Sequence, residues 1–134
     1  MGHSVEAIQL APEKYVLNIT IPGLPATYNG IGRKSHWVAA RNTQTWKQNV
    51  RLAVGRFLPA KPLERARVEI RRCSSNQGDY DGMVQAAKPV LDGLVECGVL
   101  IDDSPRIIGK PDYNREYAPR GKGFIRIQVE EVLA

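Results

Sequence analysis

The stretch GDYDGMVQAAKPVLDGLVECGVLIDDS, residues 78–104, carries six of the chain's 14 acidic residues and a single base, Lys88. Its middle reads as an amphipathic helix. Ala87, Val90 or Leu91, and Leu94 recur at helical spacing, and Gly98 stands where a helix stop is expected. Its ends are polar: Asp79 and Asp81 precede the helix, while Asp102 and Asp103 follow it in the next loop. If the strands on either side of this helix are neighbours, both acid pairs come to one edge of the sheet. The reading of this segment therefore decides the fold.

Proline sets where the helix should begin. In a first turn Pro89 costs no hydrogen bond, but deeper inside a helix it costs ~3 kcal/mol. Its position predicts regular helix from Gln85 or Ala86, with 79–84 as an enlarged loop. A helix that starts earlier and kinks at Pro89 is the alternative.

Outward from this segment, residues 14–21 (KYVLNITI) alternate as a strand with Leu17, Ile19 and Ile21 on one face. Residues 22–35 (PGLPATYNGIGRKS) read as a long loop. Asn42 or Thr43 can cap a helix running to about Leu58, with Trp46, Val50, Ala53 or Val54, and Phe57 as its buried stripe. Lys47 and Arg51, four apart, share its outward face. Residues 64–72 (ERARVEIRR) form a strand with Ala66, Val68 and Ile70 inward and Arg65, Arg67, Glu69 and Arg71 outward. Further strands are expected near 106–112 and 122–130, the last with Ile125, Ile127 and Val129 alternating with Arg126, Gln128 and Glu130. The order β-α-β-α-β-β gives an α+β fold, a small mixed β-sheet packed against two α-helices. Its size makes residues 1–134 one domain, with 1–13 a peripheral N-terminal segment.

Charge is segregated along the chain. The net charge is +5, and no acidic residue occurs from Lys14 to Pro62, where eight bases lie. A uniformly solvated surface mixes the signs, so a cationic face for a polyanion is expected, with nucleic acid first; solvated surface charge is the alternative. No apolar run is long enough to span a membrane, and the N-terminus lacks a signal-peptide pattern, which predicts a cytoplasmic protein. Cys73 and Cys97 are widely spaced and read as reduced thiols in or near the core. His3 and His36 are isolated, and no His-Asp cluster or glycine-rich phosphate loop marks a nucleotide phosphohydrolase.

Converging carboxylates need a counterion. Two at ~4 Å repel by about 4 kcal/mol at an effective dielectric near 20. A hard divalent cation with oxygen ligands is the usual solution. The plainer reading makes Asp79 and Asp81 turn or cap residues and Asp102-Asp103 a polar turn. Lys88 and Asp92 share a helix face, but such a pair stabilises by only ~0.3 kcal/mol. A lysine beside a carboxylate metal site has a stronger reason to be there, since it can hold a phosphate or offset developing charge.

Asp79-Tyr80-Asp81, Lys88-Pro89-Val90-Leu91-Asp92-Gly93-Leu94 and the closing Asp102-Asp103 together resemble the RusA family of Holliday-junction resolvases. The family pattern runs D-x-D-N, a lysine in K-x-x-x-D-x-L, and a final D-D. The resemblance implies a homodimeric, Mg²⁺-dependent (or Mn²⁺-dependent) endodeoxyribonuclease that cuts branched DNA such as a four-way junction. By motif match, Asp79, Asp81 and Asp103 would be its metal-binding catalytic carboxylates and Lys88 its catalytic lysine. Asp92 and Asp102 would be additional acids. Arg33, Lys34, Arg71 and Arg72, which flank the long loop and the acid loop, are the expected DNA contacts. Two departures stand out: Gly82 replaces the family's Asn, and three extra residues separate Asp81 from Lys88, leaving Gln85 at the ungapped lysine position. A protein that kept the fold and binds DNA without cutting it is the rival expectation.

Overall fold

A computed structural model describes residues 14–26, 36–76 and 80–133. The expected peripheral segment 1–13 and most of the long loop lie outside the described residues. Four strands form one mixed sheet: β1 (Val16–Pro22), β2 (Ala66–Ser74), β3 (Asp112–Tyr117) and β4 (Phe124–Glu131). Their order across the sheet is β1-β4-β2-β3, with β4 antiparallel to both neighbours and β2 parallel to β3. Parallel neighbours need a crossover, supplied here by α2 (Tyr80–Glu96) and the short α3 (Pro105–Ile108). The α+β class read from the sequence is therefore observed, and the expected order holds except that the short α3 is added before β3.

The alternation of each central strand sends one row of side chains to the helices. Ala66, Val68 and Ile70 of β2 and Ile125, Ile127 and Val129 of β4 are buried on that face. They meet Trp46, Val50 and Val54 of α1 (His36–Val54) and Val90, Leu91 and Leu94 of α2 in one core. The opposite face is polar. There Arg71 pairs with Glu69 at 3.0 Å and Glu116 at 3.3 Å, and Asn114 donates to Glu69 at 2.6 Å. Cys73 is buried and Cys97 half-buried, both as free thiols.

Three departures from expectation go beyond a shift of one or two residues at a strand end. α1 begins at His36, six residues before Asn42, and stops at Val54, where Gly55 takes a positive φ of 54°. Asn42 is thus inside the helix, and its Oδ1 accepts the Ala26 N–H at 3.1 Å, tying the chain after β1 to α1. Phe57 falls beyond the helix and is exposed instead of completing the stripe. Residues 105–108 are helix, not strand, because Ser104-Pro105 places a proline in a first turn, and β3 starts only at Asp112.

The third correction matters most. α2 starts at Tyr80, not near Gln85, and runs through Pro89. The two turns ahead of the proline bury Met83, Ala86 and Ala87 against the core, which offsets the missing bond. That bond would have gone to the carbonyl of Gln85, an exposed residue where water can serve the oxygen.

Candidate functional site

Two devices bring the end of the acidic segment back to its middle. Gly98, at φ 98°, closes α2 with a paired cap: Val99 N–H reaches the Leu94 carbonyl at 2.9 Å and Gly98 N–H the Val95 carbonyl at 3.2 Å. The reversed chain is then held by Leu63, which donates to Val99 at 2.8 Å and accepts from Ile101 at 3.1 Å. Asp103 follows immediately. Its N–H is taken by the Asp102 carboxylate at 2.8 Å, so Asp102 serves as a turn residue.

Lys88 meets Asp103 here. Its ammonium donates to Asp103 Oδ2, fifteen residues away in sequence, and pairs with Asp92 Oδ1 at 3.1 Å. The lysine side chain is 58% exposed and that of Asp103 24%, so the pair faces solvent from a partly sheltered seat. The Asp103 hydrogen bond is the main reason the Lys88 pKa is raised; burial opposes it, and the bond to Asp92 adds to the rise. The same Lys88–Asp103 bond is the main reason the Asp103 carboxyl is held below the usual carboxylate range.

The sign of each shift defines a pH window. Asp103, with a depressed pKa, contributes stability above the ordinary carboxylate range and loses it as pH falls through the folded value. Lys88, with a raised pKa, contributes below the ordinary lysine range and loses it as pH rises through the folded value. The pair is therefore intact across neutral pH. Carbon-detected NMR titration should find Asp103 below the ordinary aspartate range in the native protein and displaced upward in Lys88→Met.

Helical geometry sets Asp81 and Lys88 on one face of α2. At about 3.6 residues per turn, the seven residues from Asp81 to Lys88 are just short of two turns. Asp81, Gln85, Lys88 and Asp92 consequently form one stripe along α2, its first three members exposed. The seven-residue step carries the lysine ~10.5 Å along the helix from Asp81 without turning it from the shared face. Beside the stripe, a cleft of about 290 Å³ opens between the helices, lined by Asn42 and Thr43 of α1 and by Gln85, Lys88 and Asp92 of α2.

Tyr113 is a neighbour that the sequence did not single out. It lies on β3 opposite Ile70, and its ring meets Tyr80 edge to face at 6.5 Å and 85°. Burial, then the nearby Tyr80, raises its hydroxyl pKa, and the charges of Lys88 and Asp103 are also felt there. A strand predicted to end at 112 hid this residue.

The remaining candidates separate. Asp79, Arg33 and Lys34 lie outside the described residues. Arg71 is on the sheet face opposite the helices, held by Glu69 and Glu116. Arg72 points the other way, is partly buried, and donates to the Pro25 carbonyl at 2.9 Å. Burial lowers its pKa from the ordinary value. The two adjacent arginines thus serve different faces and do not form one patch.

As metal donors, Asp81 and Asp103 offer the hard carboxylate oxygens that Mg²⁺ takes, and their chemistry fits that ion. Among the described residues, no three His, Cys, Asp or Glu side chains gather as a metal-holding group. Among the same residues, no helix is long and apolar enough to cross a membrane. No protein-family model matches the chain, and no curated protein matches it in sequence.

Proposed function

We propose that this chain is a metal-dependent endodeoxyribonuclease acting on branched DNA, a four-way junction in particular, as a homodimer. The observation that carries the reading is Lys88: it bonds Asp103 across fifteen residues while sharing a helix stripe with Asp81. The resemblance in residues 79–103 supplies the reaction class, and the acid-free stretch from Lys14 to Pro62 supports a polyanionic substrate. Two sites related by a dimer axis would suit the two-fold character of a junction.

Asp79, Asp81 and Asp103 would hold Mg²⁺ (or Mn²⁺), which when bound supplies an activated water and neutralises charge on the phosphate. Lys88 has a separate task. With its pKa raised by Asp103 and Asp92, it stays protonated at neutral pH and is a poor general base. It acts instead as a cation and hydrogen-bond donor, offered to the oxygens of the scissile phosphate. Asp92 keeps the ammonium in place between turnovers. Arg33 and Lys34 belong among the DNA contacts on this reading.

Incubation with a synthetic four-way junction and Mg²⁺ tests the proposal. Paired, symmetrical nicks that vanish in Asp81→Asn are expected. No cleavage by the unaltered protein with either Mg²⁺ or Mn²⁺ would overturn it and leave the non-cutting DNA-binding reading.

A further inference from the structure

The two surfaces of this fold carry charge in different ways. On the open sheet face, basic and acidic side chains interleave: Arg71 is bridged to Glu69 and Glu116, and Arg67 stands opposite Glu130 in the strand register. The outer face of α1 is unlike this. Trp37, Arg41, Gln44, Gln48 and Arg51 recur at three- and four-residue steps and are all exposed. They lie opposite the buried Trp46, Val50 and Val54. The helix contains no acidic residue. Lys47 is turned sideways to α2, where it pairs with Glu96 at 2.6 Å. The ridge itself is thus aromatic at its head and cationic or amide-bearing along its length. Exposed helix faces that serve only solubility carry both signs and stabilise themselves with pairs one turn apart.

We infer that this outer face of α1 is the surface on which the DNA backbone lies, bringing it to the adjoining stripe of α2. This rests on the nuclease reading and adds to it the surface that holds the substrate. Arg41 and Arg51 are ten residues apart and so span ~15 Å of helix, a length that meets several phosphates of one strand. Gln44 and Gln48 between them can donate to phosphate oxygens, as amides commonly do in such interfaces. Trp37, 69% exposed, offers a flat ring to a base left unstacked at a branch point. α1 and α2 are neighbours in one layer and jointly line the cleft at Lys88. A strand lying on the ridge therefore leads toward the Lys88–Asp103 pair.

The test is fluorescence anisotropy of a labelled four-way junction in Ca²⁺, which keeps the DNA intact, over a series of salt concentrations. Arg41→Glu/Arg51→Glu should weaken binding by at least about tenfold near physiological salt and reduce the salt slope by about two. Arg67→Glu/Arg126→Glu, on the opposite face, should change affinity less than about twofold on the same reasoning. Junction DNA should also protect Trp37 from acrylamide quenching, with buried Trp46 as the shielded background. Equal losses from both double variants, unaltered quenching, or preference for anionic vesicles over DNA would overturn the inference. Ridge-dependent binding without cleavage in Mg²⁺ would sustain it while removing the nuclease reading.

Discussion

Lys88→Ala should reduce single-turnover cleavage of a junction by at least about 100-fold while shifting unfolding by less than about 1 kcal/mol. The asymmetry follows from where the ammonium sits. It is more than half exposed, so water replaces much of its contribution to folding. In a substrate complex the same charge would face phosphate oxygens with solvent displaced, and there it matters far more. Its removal also leaves Asp92 and Asp103 without the cation that bonds both. Lys88→Arg should restore only part of the rate, because a planar guanidinium cannot reproduce a compact ammonium held between two carboxylates. Equal rates for Lys88→Ala and the unaltered protein would remove Lys88 from the chemistry.

The largest expected effect on stability is at Gly93. A Cβ placed there would lie 2.9 Å from Val50 Cβ and 3.2 Å from Lys47 Cα, so α1 and α2 cross with almost no space between them. Alanine gains ~1 kcal/mol in helix propensity over glycine. Overpacking of a tight contact costs ~1–3 kcal/mol. Steric conflict wins, because Val50 is fully buried and Lys47 presents backbone, so neither neighbour can swing aside. Gly93→Ala should be destabilised by up to ~2 kcal/mol, and Gly93→Val by ~3 kcal/mol or more, as measured by urea denaturation. Separating the helices would also part Lys47 from Glu96 and widen the cleft beside Lys88. An alanine variant more stable than the native protein would contradict this account of the crossing.

How much of this was legible in the chain depended on which force set each feature. Strand faces were readable because alternation is local: Ala66, Val68 and Ile70 could only be buried together once β2 formed. The position of Gly98 was readable for the same reason, since a left-handed cap has few candidates. The start of α2 was not readable. Proline's local penalty pointed to Gln85, but burial of Met83, Ala86 and Ala87 is a tertiary gain invisible to propensity. That error had a functional shadow, because an enlarged loop would have carried Asp81 away from the lysine. Helix from Tyr80 onward instead puts both on one face. The Lys88–Asp103 bond was foreseeable only as an acid pair returning to an edge. Its exact partner depended on Leu63 pairing with residues 99–101, a contact between segments far apart in sequence.

On the proposed nuclease reading the working lysine is Lys88, which touches Asp103, and not a residue at the four-residue step from Asp81. Single-turnover cleavage of a four-way junction in Mg²⁺ by Gln85→Lys/Lys88→Gln tests this most directly. That exchange restores the ungapped spacing from Asp81 and keeps the charge on the same face, but moves it about one turn from Asp103. The account predicts a loss as severe as that of Lys88→Gln alone. Cleavage by the exchanged protein at the native rate would contradict it.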